Sequence, residues 1–321
     1  MVAGPNSAAN AFKKKREMAS QRKTRSTKPQ SNIAEDREDT HHSVLGGLKG
    51  GYRVDGAGSA QQQENSATLT ASSVKQYNIP FNDKSIVCER RSEAGKPCLI
   101  FTHGAGGGLA NPATSEFANG FAEKAGIVSF QGTMNLQSRI KTFHAVMLHE
   151  QFDSALGGRS MGARAAATAA IEENHHTKAL VLVSFPLVGG KNKESREQTL
   201  LDLPKDMDVL FVSGSKDAQC DTAGLVAVMS KMNARSWLIC VEEADHSMSW
   251  KAKSSVQEMR RLTGHLAAEW LCDRDVNRRR YTISWNEEAA EIHCSGWAID
   301  GEVPEGDNED IEPRRKKQKR K

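Results

Sequence analysis

One short pattern in the sequence could place a serine for nucleophilic attack. Ser160 lies in Gly158-Arg159-Ser160-Met161-Gly162, between a predicted strand and a predicted helix. A serine on a tight strand-turn-helix connection is held exposed at a strained backbone angle, and side chains two positions away would clash with the turn. The pattern predicts a nucleophile at Ser160. A glycine-rich turn without a catalytic role is the alternative.

A base and an acid for this serine are found downstream, each just after a predicted strand. Asp217 follows the apolar run at residues 209–213, and His246 follows the run at residues 237–241. A serine hydroxyl is a weak nucleophile until a base takes its proton, and an acid must orient that base. Because the carboxyl ends of parallel strands meet at one edge of a sheet, we expect all three side chains to lie together.

Two other aspartates compete for the acid role or lie close to the base. Asp221 could serve as the acid, or it could cap the helix that follows it, and Asp217 could also be such a cap. Asp245 is adjacent to His246 in the chain and is poorly placed to reach the far side of its ring. Asp217 is therefore the predicted acid.

A glycine-rich loop supplies candidates for stabilising the negative charge that forms on an attacked carbonyl. Residues 103–108 read His-Gly-Ala-Gly-Gly-Gly. The backbone N–H of Ala105 or Gly106, together with that of Met161, is predicted to bind this oxyanion. A phosphate-binding loop is the alternative, but no Gly-Lys-Ser/Thr follows. The glycines predicted to allow close backbone approach at the site are Gly104, Gly158 and Gly162.

The elements around these residues alternate between short apolar runs and helical segments. Strands are predicted at residues 74–80, 85–90, 98–102, 127–130, 152–156, 179–185, 209–213 and 237–241. Helices are predicted at residues 115–124, 136–149, 163–173, 194–201, 225–232 and 255–271. This alternation predicts an α/β fold with a doubly wound, mostly parallel sheet. Little sequence is left for a lid between residues 179 and 217.

Composition divides the chain into four regions. Hydrophobic residues make up 38% and charged residues 26%, so part of the chain is not expected to fold. Residues 1–65 are predicted to be a disordered basic and polar region, and residues 66–275 the folded domain. Residues 276–300 form a short appended segment, with a possible hairpin of residues 281–285 and 291–297. Residues 301–321 are an acidic stretch followed by a basic tail.

Charge and cysteine content exclude several classes of function. The net charge of +4 comes from the two termini, so the folded region is net acidic and no specific nucleic-acid site is expected there. The six cysteines are scattered without a CxxC pair, which predicts reduced thiols, no metal and no cofactor. No run approaches the roughly 18 apolar residues of a membrane span, and no secretory signal is present, so we expect a soluble, intracellular protein without a membrane partner.

The basic tail at residues 313–321 predicts where in the cell the protein is located. Residues 313–321 hold seven Lys or Arg residues and no acid, a density typical of signals bound by nuclear import receptors. A merely solvated tail is the alternative. Residues 13–28 could suggest a mitochondrial presequence, but lysine outnumbers arginine there and apolar residues are few. We expect a nuclear protein, and otherwise a cytoplasmic one.

Four segments carry a resemblance to a known family: residues 99–107, 157–164, 184–187 and 244–246. They resemble the small, lidless α/β-hydrolase-like family that includes testis-expressed protein 30 and the third regulatory subunit of the NSL histone acetyltransferase complex. The similarity covers about residues 74–271 and extends more distantly to dienelactone hydrolases. Residues 131–135 depart from it, since an aromatic, proline-containing segment is expected there.

The resemblance implies an α/β-hydrolase fold and leaves two functions open. The first is a serine hydrolase that acts on a small-molecule carboxyl ester or thioester through an acyl-enzyme intermediate. The second is a non-catalytic scaffold subunit of a nuclear chromatin complex, with other subunits of that complex as partners. Retention of serine, aspartate and histidine favours the enzyme.

Overall fold

The computed structural model describes residues 74–92, 96–172, 176–189 and 192–299. All of them belong to one unit. The expectations for residues 1–65 and for residues 301–321, including the disorder and the import signal, fall outside the described residues.

Thirteen strands occur within the described ranges. In chain order they are β1 Val74–Phe81, β2 Lys84–Arg91, β3 Leu99–Thr102, β4 Ile127–Phe130, β5 Ala155–Arg159, β6 Ala179–Val183, β7 Val188–Gly189, β8 Glu194–Ser195, β9 Asp208–Gly214, β10 Arg235–Val241, β11 Arg278–Asn286, β12 Glu291–Cys294 and β13 Ala298–Ile299. The central ones are short and buried along their whole length, as parallel strands covered on both faces are.

Six α-helices connect these strands. They are α1 Pro112–Ala122, α2 Leu136–Glu150, α3 Met161–Glu172, α4 Glu197–Leu201, α5 Thr222–Met229 and α6 Val256–Cys272. Polar side chains begin three of them: Asn111 accepts a hydrogen bond from the Ala113 N–H, Asn135 from the Ser138 N–H and Asp221 from the Gly224 N–H. In the part of the chain that is described, none of these helices has the length and apolarity to cross a bilayer.

Eleven of the described strands form one sheet, in the order β1-β2-β4-β3-β5-β6-β9-β10-β11-β12, with β13 also paired to β11. The run from β4 through β11 is parallel, whereas β1, β2 and β12 pair antiparallel with their neighbours. The predicted doubly wound, mostly parallel sheet is confirmed.

Hydrophobic layers cover both faces of the sheet. On one face Phe130 meets Phe143 of α2 edge to face, with ring centroids 4.7 Å apart. On the other face Trp237 meets Trp270 of α6 at 5.5 Å. Aromatic contacts of this kind add to the free energy gained by burial. The sheet is thus packed on both faces, and the side chains at its carboxyl edge are attached to a buried core.

Several element boundaries differ from the prediction by two or three residues, and two of the differences have a clear cause in packing or pairing. The strand expected at residues 152–156 is β5, which begins at Ala155 and continues through Gly157 and Gly158. The prediction took the two glycines as the end of the strand, but a Cβ at Gly157 would lie 2.7 Å from the Val181 carbonyl oxygen, so they pack inside the sheet. The helix expected at residues 194–201 begins only at Glu197, because residues 194–195 pair with β7.

The segment after α6 extends the sheet. β11 pairs in parallel with β10, with Ile239 opposite Tyr281, and turns back into β12, with Trp285 opposite Ile292. Two short strands alone are only marginally stable. Here Ile283 is completely buried, so the hairpin packs against the sheet and its hydrophobic layer.

Candidate active site

Ser160 occupies a strained turn between β5 and α3. Its φ is 53°, in the left-handed region that a non-glycine residue rarely adopts. Its N–H donates to the Val183 carbonyl oxygen at 2.8 Å, which ties the turn to β6. A Cβ at Gly158 would lie 2.4 Å from the Gly162 carbonyl carbon, and one at Gly162 would lie 2.5 Å from the Thr102 carbonyl oxygen. Both glycines are therefore required by close backbone contact.

The structure brings the predicted serine, histidine and aspartate into one hydrogen-bonded chain. Ser160 Oγ lies 2.8 Å from His246 Nε2, and His246 Nδ1 lies 2.8 Å from Asp217 Oδ2 and 3.0 Å from Oδ1. The Asp217 side chain is fully buried and that of His246 is 20% exposed. Because an ionised carboxylate only accepts hydrogen bonds, Nδ1 carries the proton, and in the neutral ring Nε2 is free to accept the serine proton.

Several contacts hold in place the loop that carries Asp217 and the loop that carries His246. Asp217 also accepts a hydrogen bond from the Gln219 N–H at 2.8 Å. The Lys216 N–H donates to the Ala244 carbonyl oxygen at 2.9 Å, which joins the loop after β9 to the loop after β10. The buried Arg159 donates from Nη2 to the His246 carbonyl oxygen at 2.7 Å. Arg159, which precedes Ser160, thus positions the loop that carries His246.

Asp221 and Asp245 have hydrogen-bond partners other than the His246 ring. Asp221 is the N-cap of α5, where its Oδ2 accepts from the Gly224 N–H at 2.8 Å. Asp245 Oδ1 accepts from the N–H groups of Ser247 and Ser249 at 2.8 and 3.0 Å, and so closes the turn that contains His246. Of the three aspartates, Asp217 is the one that contacts the His246 ring.

The glycine-rich loop lies beside the serine. A Cβ at Gly104 would stand 3.5 Å from the Cβ of Ser160. Ala105 and Gly106 are exposed, and within the described residues their N–H groups have no hydrogen-bond partner. Met161 is the first residue of α3, so its N–H has no acceptor inside the helix. These N–H groups are thus free to bind an oxyanion.

Two buried polar residues, one at the start of this loop and one beside it, are not among the predicted site residues. Arg139 of α2 is completely buried and donates to backbone carbonyls of the loop, and His103 is 2% exposed. Arg139 precedes Phe143 by four residues, so it lies on the apolar stripe of its helix. That placement is the signal by which its burial could have been predicted.

Residues 131–135, where the sequence departs from the resembled family, support the same loop. Gln131 Oε1 accepts a hydrogen bond from the Leu109 N–H at 3.2 Å, and Thr133 provides a carbonyl acceptor for Arg139 at 2.6 Å. In the described part of the chain, no group of three or more His, Cys, Asp or Glu residues could hold a metal ion.

Comparison with known proteins agrees with this architecture. Residues 131–270 match a family model described as an alpha/beta hydrolase domain. The structure is similar to Est1E from Butyrivibrio proteoclasticus, with a TM-score of 0.50 and 13% sequence identity over 62% of this chain and 99% of that one. The protein has the α/β-hydrolase fold.

A second structure supports the same fold. A provisionally named dienelactone hydrolase from Klebsiella pneumoniae has a TM-score of 0.50 and 16% identity, over 63% of this chain and 99% of that chain. In the α/β-hydrolase fold the nucleophile, acid and histidine follow in that chain order, which is the order of Ser160, Asp217 and His246. Membership of the narrower family that the sequence resembles stays a prediction.

Proposed function

We propose that this protein is a serine hydrolase that cleaves a small to medium-sized carboxyl ester or thioester through an acyl-enzyme intermediate. The observation that carries the proposal is the continuous hydrogen-bonded chain from Ser160 Oγ through the His246 ring to the buried Asp217. This geometry meets the distances required of a nucleophile, a general base and its orienting acid.

The geometry supports a two-stage reaction. In the first stage His246 Nε2 takes the Ser160 proton as Oγ bonds to the carbonyl carbon, and the carbonyl electrons move to oxygen, where backbone N–H groups bind the charge. Asp217 stabilises the imidazolium. The intermediate then expels the alcohol or thiol, which receives its proton from His246. In the second stage water, deprotonated by His246, attacks the acyl-enzyme, and the acid product leaves with Ser160 reprotonated.

The chain after β6 favours an uncovered site for a small substrate. Between Val183 and Asp208, the described residues contain two strands of two residues each and one helix of five residues. A lid domain needs a packed core of its own, which elements this short cannot supply. We therefore propose that substrate enters the site without a domain closing over it.

A fluorophosphonate probe tests the nucleophile directly. The full chain is expected to be labelled covalently, and Ser160→Ala is expected to lose the label because the attacking oxygen is gone. Ser247→Ala is the matched control: this serine is exposed, it adjoins the base, and its side chain is not in the triad. It is expected to keep the label.

Two outcomes contradict the proposal. Undiminished labelling of folded Ser160→Ala would assign the reaction to another residue. A folded wild-type chain that is neither labelled nor active on p-nitrophenyl esters would favour the non-catalytic scaffold function that the family resemblance implies.

A further inference from the structure

Arg139 is a buried cation whose hydrogen-bond partners, among the described residues, are all uncharged. Its side chain is completely buried, and none of the described carboxylates forms an ion pair with it. Burial lowers the pKa of its guanidinium to about 10, which still leaves it charged at neutral pH. A buried charge is costly unless hydrogen bonds compensate it, so the partners of this group indicate its role.

Those partners are backbone carbonyls from two loops. Nη1 donates to the carbonyl oxygens of His103 and Gly104, the second at 3.1 Å. Nε and Nη2 donate to the Thr133 carbonyl oxygen at 2.9 and 2.6 Å. The guanidinium therefore links the start of the glycine-rich loop to the segment that follows β4.

The His103 ring reinforces the same contact. Its Nε2 lies 3.0 Å from the Gly132 N–H, which can only donate, and its Nδ1 lies 2.7 Å from the Gly104 carbonyl oxygen, which can only accept. A neutral ring with the proton on Nδ1 satisfies both partners. Burial, followed by the charge of Arg139, lowers the pKa of His103 and so favours this neutral form. Two donors thus converge on the Gly104 carbonyl.

The direction of this carbonyl sets the direction of the next N–H. In a trans peptide the C=O of one residue and the N–H of the following residue point to opposite sides. Since the Gly104 C=O points to the buried guanidinium, the Ala105 N–H points away from it. Ala105 is exposed and Gly104 lies against Ser160, so this N–H is presented on the open side of the loop beside the nucleophile.

We propose that Arg139 is a positioning residue for the oxyanion site, holding the Gly104–Ala105 peptide so that its N–H faces the reacting carbonyl. The catalytic part of this proposal rests on the proposed serine hydrolase function. The positive charge behind the peptide also polarises the hydrogen-bonded group toward the developing oxyanion. Arg139 touches no substrate and acts through the loop.

Steady-state kinetics on p-nitrophenyl acetate test the proposal. Loss of an oxyanion donor reduces kcat by about 100- to 1,000-fold in other serine hydrolases. Because a misaligned donor still forms a weaker contact, Arg139→Met is expected to lower kcat about 10- to 100-fold, with KM changed less than about threefold. Binding of phenylboronic acid, which forms a tetrahedral adduct on the serine, is expected to weaken in parallel with kcat.

A second variant displaces the guanidinium without removing it. A Cβ at Gly132 would lie 2.5 Å from Arg139 Nε. Gly132→Ala is therefore also expected to lower kcat and to leave KM nearly unchanged. The control is Lys141→Met, which removes an exposed cation two residues further along α2 and is expected to leave kcat, KM and boronate binding unchanged. Circular dichroism establishes that each variant is folded.

Amide hydrogen exchange tests the contact between Arg139 and the loop without requiring an active enzyme. In Arg139→Met, the N–H groups of Leu109 and Gly132, which donate to Gln131 Oε1 and to the His103 ring, are expected to exchange at least tenfold faster, while peptides from α6 keep their wild-type rates. An inactive wild-type chain would contradict the proposed function, and the exchange data would still test the loop contact. Folded variants with unchanged exchange, or with unchanged kcat and boronate binding in an active enzyme, would overturn the proposal.

Discussion

Asp217 and Asp221 show how position assigns different tasks to the same side chain. Both follow β9 by a few residues, yet one carboxylate is buried against the His246 ring and the other caps α5 at the surface. The amide of asparagine keeps the shape of a carboxylate and loses its charge. It caps helices about as well as aspartate, but it cannot hold a histidine in the correct tautomer. The same substitution should therefore have opposite consequences at the two sites.

Asp217→Asn is expected to lower kcat on a p-nitrophenyl ester by about 1,000- to 10,000-fold, with the fold retained, because the ring loses its orienting acceptor. Asp221→Asn is the matched control and is expected to stay within twofold of the wild type. Equal losses in the two variants would argue against Asp217 as the acid.

The buried His103 should make the fold sensitive to acid. Its pKa is lowered in the native state, so as pH falls below about 6.5, the ordinary histidine value, the unfolded chain takes up a proton before the native chain does. The contribution of the neutral His103 ring to the free energy of unfolding is complete above that pH and is lost as the pH falls below it. The free energy of unfolding from urea titrations is expected to fall between pH 7.5 and pH 5.5 by less in His103→Gln than in the wild type.

The control for this measurement is His293→Gln, at an exposed position of β12. It should keep the wild-type dependence on pH. If His103→Gln loses as much stability on acidification as the wild type, His103 is not the group that takes up the proton.

The β5-to-α3 connection depends on close backbone contact. A Cβ at Gly162 would lie 2.5 Å from the Thr102 carbonyl oxygen and 2.6 Å from that of His103. Gly162→Ala is therefore expected to destabilise the protein by about 1–3 kcal/mol, as overpacking of a rigid interior does. It should also reduce turnover, because relief of the clash moves the start of α3 and hence Ser160.

Gly224, at a helical position with space for a side chain, is the control for Gly162. A Cβ at Gly224 in α5 would have its nearest neighbour at 3.4 Å, an ordinary contact distance. Gly224→Ala is expected to leave stability unchanged or raise it by up to about 1 kcal/mol. Thermal unfolding of both variants tests the pair, and equal stability of the two would show that the turn at Gly162 relaxes without cost.

The strands after α6 complete the hydrophobic layer on one side of the sheet. Ile283 of β11 is completely buried, and Trp237 Nε1 donates to the Asp275 carbonyl oxygen at 2.9 Å. Arg279 also lies over the Trp237 ring at 5.5 Å. These contacts join β11 and the residues just before it to β10.

Ile283→Ala is accordingly expected to lower the free energy of unfolding by about 2–5 kcal/mol, the usual cost of truncating a buried aliphatic side chain. Ile299→Ala, at a 46% exposed position of β13, is expected to change it by less than about 0.5 kcal/mol. Denaturant unfolding followed by tryptophan fluorescence measures both. A small effect at Ile283 would mean that the hairpin unfolds separately from the sheet.

Much of the site was accessible from the sequence because its signals are local. The glycines around Ser160, the apolar runs that end before Asp217 and His246, and the chain order of the three residues are all readable within short windows. Helix starts were less well predicted. α5 begins at Thr222, three residues before its predicted start at residue 225. The sequence pattern does not give this start, because it leaves open whether Asp221 caps the helix.

The fold class and the residue types of the candidate site can be predicted from the sequence, because alternating apolar runs and turn residues act between near neighbours. Long-range contacts in the folded chain, in contrast, establish which aspartate contacts His246, that β11 joins the sheet beside β10, and that Arg139 is buried against the loop of Gly104. Each of these depends on contacts between residues far apart in the chain, and the free energy of such contacts is set by packing and desolvation that no local pattern encodes.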